Sequence, residues 1–114
     1  MSDDLDSQLT LTSELVAQRL AMGDRAEVPR QVDHLAFFKR SRADAAIGEL
    51  EAAGFTVRDA TRRLLKVGVE FHRTDACDHE SAAAFTREVV SIVAKHGGSY
   101  DGWASFITQG TDAG

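Results

Sequence analysis

The chain has 114 residues, 43% hydrophobic and 27% charged, proportions that suit one globular domain around a single core and exclude a collagen-like, coiled-coil or disordered chain. Its formal net charge of −5 argues against a general nucleic-acid binder, because neutralising phosphates takes a basic surface. Cys77 is the single cysteine, which rules out an internal disulfide and a multi-cysteine zinc site and makes a reducing, cytoplasmic setting the expectation.

No apolar run approaches the ~20 residues that cross a bilayer, and the acidic start lacks the basic and apolar regions of an export signal, so neither membrane nor secretion is expected. Asp3, Asp4 and Asp6 crowd residues 1–11, read as a flexible acidic lead, and residues 108–114 read as a flexible tail, leaving 12–107 as the folded domain. From Thr12 to Met22 the composition predicts a helix, with Thr12 as its N-cap and Gly23 as its stop. Pro29 separates it from a dense apolar run, Gln31 to Phe38, that predicts a central strand with both faces at least half apolar.

Ser41 to Ala53 predicts a second helix, with Ser41 and Asp44 as a capping pair and Ala43, Ala46, Ile47 and Leu50 as its apolar stripe. Phe55 and Val57, alternating with Thr56 and Arg58, predict a short strand and Asp59 to Arg63 a turn. Leu65, Val67, Val69 and Phe71 then alternate with Lys66, Gly68, Glu70 and His72, the cleanest period-two pattern in the chain. After a capping loop, Ala82, Phe85, Val89, Ile92 and His96 recur at spacings of three and four, which predicts an amphipathic helix ended by Gly97 and Gly98. Ser99 to Ile107 predicts the last strand.

The resulting β-α-β-β-α-β order closes best as a ferredoxin-like α+β sandwich: a four-stranded antiparallel sheet in the spatial order 4-1-3-2, both helices on one face, and the N-terminal helix as an addition. Arg30 to Lys66 holds eight bases against five acids, so two basic turns, around Lys39, Arg40 and Arg42 and around Arg62, Arg63 and Lys66, stand out from an acidic whole.

Six potential metal ligands, His72, Asp75, Cys77, Asp78, His79 and Glu80, fall within nine residues. Their spacing matches no zinc motif, and Asp75, Asp78 and Glu80 are what a helix start attracts, so capping is the expectation and no metal or other cofactor is assigned. Cys77 with His79 lacks an orienting third group and an oxyanion hole, so no catalytic residue is assigned. RNA binding through the sheet would require stacking aromatics on the central strands, and Lys66 to Phe71 offers one, facing the core.

The stretch Tyr100-Asp101-Gly102-Trp103 is the most informative. Too little strand precedes it for a hairpin, so Gly102 predicts a bulge or kink that re-aims Tyr100 and Trp103. Two readings stand: Trp103 packs in the core with Tyr100 bonded at its rim, or the two form an aromatic recognition patch.

With this tetrapeptide, Asp33-His34 before the apolar part of the first strand, and the helix exit Gly54-Phe55-Thr56-Val57, the chain resembles the bacterial regulator of ribonuclease activity B family, protein inhibitors of ribonuclease E, from about Ser13 to Ile107. The resemblance implies a non-catalytic protein that binds ribonuclease E or its degradation assembly and modulates, expected as inhibition, RNA cleavage by protein contact. From charge and the lack of stacking aromatics no direct nucleic-acid binding is expected, and a sheet with one uncovered face gives a monomer or weak homodimer as the expectation. His34, Tyr100, Asp101, Gly102 and Trp103 are the candidate partner-binding residues. A small-molecule sensor or small enzyme, with a cleft between the sheet's open face and the N-terminal helix, is the alternative, prompted by His34, Glu70 and His72.

Overall fold

Strand residues that alternate between apolar and polar can bury only one face, and the two longest strands of this chain settle where that face points. In the computed structural model, which describes residues 2–108, the elements are α1 (Ser2–Ala21), β1 (Arg30–Lys39), α2 (Arg40–Ala52), β2 (Thr56–Arg62), β3 (Lys66–Asp75), α3 (His79–Lys95) and β4 (Ser99–Ala104). The strands form one antiparallel sheet in the order β2-β3-β1-β4, or β4-β1-β3-β2 from the opposite edge.

On β1, Val32, His34, Ala36 and Phe38 are buried, and on β3 Val67, Val69 and Phe71. Against this face lie Ala43, Ala46 and Leu50 of α2 and Phe85, Val89, Ile92 and Val93 of α3. Each fully enclosed Phe38 or Leu50 side chain contributes about 2 to 3 kcal/mol of apolar burial. The chain then returns tightly from α3. A Cβ on Gly98 would sit 2.5 Å from the Phe38 ring and 2.6 Å from the Phe37 carbonyl oxygen, so only glycine lets the entrance of β4 lie this close to β1.

The first helix differs from its expectation. It begins at Ser2, so Thr12 lies in mid-helix and caps nothing, and residues 2–11 are helical. Its buried residues Thr12, Val16 and Arg19 fall at spacings of four and three, a stripe that faces α3 and the outer edge of β4. Val16 joins Val32, Cys77, Ala82 and Phe85 in a second apolar cluster, while Gln8 donates from Nε2 to the Tyr100 carbonyl oxygen at 3.2 Å. α1 thus closes one end of the helical layer. Among the described residues, no helix is long and apolar enough to cross a membrane.

Four further boundaries move, each for a long-range reason. α2 starts one residue early with Lys39 as N-cap, and the Ser41–Asp44 pair does not form: the Arg40 amide donates to Leu65 O at 3.1 Å, and Asp44 accepts from Arg62 at 3.0 Å. β2 continues through the polar stretch expected as a turn, because a register shift between Val57 and Asp59 absorbs Arg58 and an edge strand tolerates exposed polar side chains. Leu65 falls in the β2–β3 turn, closed by Arg63 N–H to Lys66 O at 2.8 Å, and is exposed instead of continuing the core parity of β3.

β4 ends at Ala104 because the chain beyond it leaves the sheet for the loop after α1. Arg19 donates to Ser105 O, Arg30 to Phe106 O at 3.2 Å, and Thr108 exchanges backbone and side-chain bonds with Arg25 and Asp24. Buried Asp24 also pairs with Arg30 at 2.7 Å, which anchors this latch in low dielectric. The expected tail from 108 lies, apart from Thr108, outside the described residues.

Candidate functional site

Residues three apart on a regular strand point to opposite faces, so Tyr100 and Trp103 should diverge. They do not. Tyr100 pairs with Ala36 and Trp103 with His34, so the two residues Asp101 and Gly102 lie opposite the single residue Leu35. Gly102 has a φ of 104°, backbone that a side chain disfavours, and the bulge it permits turns both aromatics toward the helical layer.

Under that layer the aromatics complete a polar seam in an apolar setting. His34 Nδ1 and the Tyr100 hydroxyl lie 2.7 Å apart, and the imidazole stacks on Phe71 at 5.1 Å with Phe55 and Phe85 edge-on at 5.6 and 5.5 Å. His34 Nε2 has no hydrogen-bond partner. Burial foremost, with the positive field of Arg73, lowers the His34 pKa from 6.5 to about 3, so the imidazole is neutral across the physiological range. Burial raises the Tyr100 pKa well above the usual phenol value, and the hydroxyl keeps its proton.

Trp103 carries the seam onward to α1. Its ring meets Phe85 edge to face at 5.1 Å, its indole N–H donates to Thr12 Oγ1 at 3.1 Å, and Thr12 and Thr86 share a hydroxyl bond of 2.8 Å. The Arg19 guanidinium stands 5.5 Å from the ring centroid. Arg19 and Thr86 were not singled out by sequence, and Thr12 only as an N-cap, since their partners are far along the chain.

Of the five candidate partner-binding residues, His34 and Tyr100 are therefore enclosed and cannot touch a partner in this conformation, and Trp103 is half-buried; Asp101 and Gly102 reach the surface. Together these residues build a groove. Gln8, Leu11, Glu14, Leu15 and Gln18 of α1 form one wall and Asp101, Gly102 and Trp103 the other, around a cavity of about 310 Å³. On the sheet's open side the carboxylates of Asp33, Glu70 and Asp101 border a neighbouring hollow of about 280 Å³ that also touches Gly102 and Trp103. This end of the molecule is acidic, with Leu11, Leu15 and the Trp103 edge as its apolar contacts.

The other chemical candidates do not converge. His34 faces the helices, whereas Glu70 and His72 belong to the opposite parity of β3, and α1 lies beside α3 and not over the open face, so the cleft expected for a sensor or enzyme has no such walls. Asp78 is the N-cap of α3, accepting from Ser81 N–H at 3.1 Å, with Glu80 in the first turn. Cys77 is enclosed, its amide donating to Ala26 O at 2.8 Å, and burial foremost raises its thiol pKa, the opposite of activation. Among the described residues, no three His, Cys, Asp or Glu side chains are placed to share a metal ion.

Residues 10–105 match the family described as Regulator of ribonuclease activity B. The chain belongs to this family. Two bacterial relatives bearing the same description accord with it, one from Aeromonas salmonicida at 28% identity and one from Aeromonas hydrophila at 29%, each over 115 aligned residues that take in 96% of this chain and 100% of the relative. The matched span takes in most of α1 and all of β1, β3, α3 and β4, the elements that supply the groove walls and the seam beneath.

Proposed function

We propose that this chain is a non-catalytic cytoplasmic protein that binds ribonuclease E, or the RNA-degradation assembly around it, and slows RNA cleavage through protein contact. Membership in the regulator of ribonuclease activity B family is the observation that carries the reading. The chemistry of the chain supports it, because His34 and the Cys77 thiol are buried in forms unsuited to proton transfer or attack. The frame is read as a ferredoxin-like sandwich to which α1 has been added, acting as a monomer or weak homodimer with no direct contact to RNA or membrane.

The groove between α1 and β4 is the surface assigned to the partner. Carboxylates of Glu14 and Asp101 flank Leu11 and Trp103 along it, a pattern suited to a basic segment with interspersed apolar residues. His34 and Tyr100 act from below by holding the bulge in place. Immobilised protein should retain ribonuclease E or a companion from an extract, and added protein should slow cleavage of a labelled RNA. Leu11→Arg combined with Asp101→Arg should weaken capture by about tenfold or more at unchanged melting temperature. Folded wild-type protein that neither captures such a component nor changes cleavage would sink the proposal.

A further inference from the structure

The hairpin that joins β2 to β3, on the sheet edge opposite β4, carries charge opposite to that of the groove. Lys39 and Lys66 are direct cross-strand partners at the ends of β1 and β3, a like-charge pairing that weakens a sheet. Arg40, Arg42, Arg62 and Arg63 surround them at the β1–α2 junction and the β2–β3 turn, and among the described residues only Arg62 of these six bases has an ion-pair partner, Asp44. Within a chain of net charge −5, this is a concentrated site of uncompensated positive charge.

Two leucines occupy its centre. Leu64 and Leu65 are 83% and 74% exposed, and with Lys39, Arg40, Ser41 and Lys66 they line a cavity of about 520 Å³. Exposed leucines ringed by bases match an occupant that is apolar and anionic at once. The cavity is concave, which fits an inserted side chain better than a planar bilayer, and no aromatic ring lines it on which a single-stranded base would stack.

We propose that this hairpin end is a second docking surface, which takes an acidic, leucine-containing segment of a partner protein: apolar side chains enter between Leu64 and Leu65 while carboxylates meet the surrounding lysines and arginines. The surface is independent of the α1–β4 groove, so the molecule has two interaction ends of opposite charge and could bridge two partners.

Fluorescence anisotropy with a labelled peptide of repeating Glu-Glu-Leu-Glu-Leu tests this. The full chain should bind it, more tightly as salt is lowered, and either Leu64→Ser with Leu65→Ser or Arg63→Glu with Lys66→Glu should weaken binding by about tenfold or more, with the melting temperature not lowered. Leu11→Arg with Asp101→Arg should leave peptide binding intact, so loss of the ribonuclease reading and loss of this one are separable. Equal affinity for poly-glutamate, which has charge and no leucine, would overturn the proposal, as would tighter binding of a single-stranded RNA or of phosphatidylglycerol vesicles.

Discussion

The seam beneath β4 and the hairpin end at residues 62–66 invert the prominence their residues have in the sequence. Tyr100, Trp103 and His34 are conspicuous residue types, yet their polar atoms bond inward to one another and to α1. The hairpin end is a run of arginine, leucine and lysine, and it is exposed throughout. Aromatic residues with a polar tip serve two purposes, packing and recognition. Which of them operates is set by what covers the strand edge, and here α1 covers it.

Removing Trp103 should open the widest gap between the two regions. Trp103→Ala deletes the edge-to-face contact with Phe85, the hydrogen bond to Thr12 and the ring beneath Arg19. A loss of about 3 kcal/mol is expected, the lower end for a core Trp because one side of the ring is open. Urea unfolding followed by circular dichroism reads it. A change under about 1 kcal/mol would mean that α1 is not held by the seam, and Trp103 would return to the list of recognition residues.

The second effect is one of pH. His34 is neutral when folded, with its pKa lowered from 6.5 to about 3. Below pH 6.5 the unfolded chain takes up a proton that the folded chain refuses, so stability is lost as pH falls, by about 1.4 kcal/mol per unit once well below 6.5, and the loss levels off near pH 3. Urea midpoints between pH 7 and pH 5 isolate this from the carboxylates. His34→Phe should flatten the slope there, whatever its own stability; an unchanged slope would assign the acid sensitivity to other groups. Charge reversal at Arg63 in the hairpin end should leave the slope untouched.

Legibility followed the range of the interactions. The period-two alternation of β3 and the three-and-four spacing of α3 are local signals, and both elements occur where the pattern puts them. The bulge was also legible, since Gly102 between two aromatics in a short strand leaves few other backbones. Thr12 misled because its residue type suits an N-cap, while its hydroxyl is engaged by Trp103 and Thr86, 91 and 74 positions away. Leu65 misled by parity alone: it continues the alternation of β3 one step past the point where the strand turns back. The bonds by which Arg30 and Asp24 hold Phe106 and Thr108, 76 and 84 positions away, left no local trace.

Gly102 offers a smaller and more selective perturbation than Trp103. A Cβ at this position meets nothing within 4 Å, so Gly102→Ala imposes no clash and its whole cost is the φ of 104°. About 1 to 2 kcal/mol is expected. The diagnostic is near-ultraviolet circular dichroism together with the midpoint: if the bulge relaxes to a regular strand, Tyr100 and Trp103 can no longer share one face and the aromatic signal should change.

The smallest effect belongs to the hairpin end, and its smallness is the point. Leu64 is 83% exposed and has no place in either apolar cluster, so Leu64→Ser should shift stability by no more than about 0.5 kcal/mol. A buried leucine of similar size costs several times that when truncated. Should Leu64→Ser destabilise the chain as a core substitution does, the hairpin tip would be folded over in solution and its cavity filled by the protein itself, and the contrast between an inward seam and an outward end would fail. Should stability hold while the midpoint of Trp103→Ala falls, the free energy of these two leucines is left for contacts outside the chain.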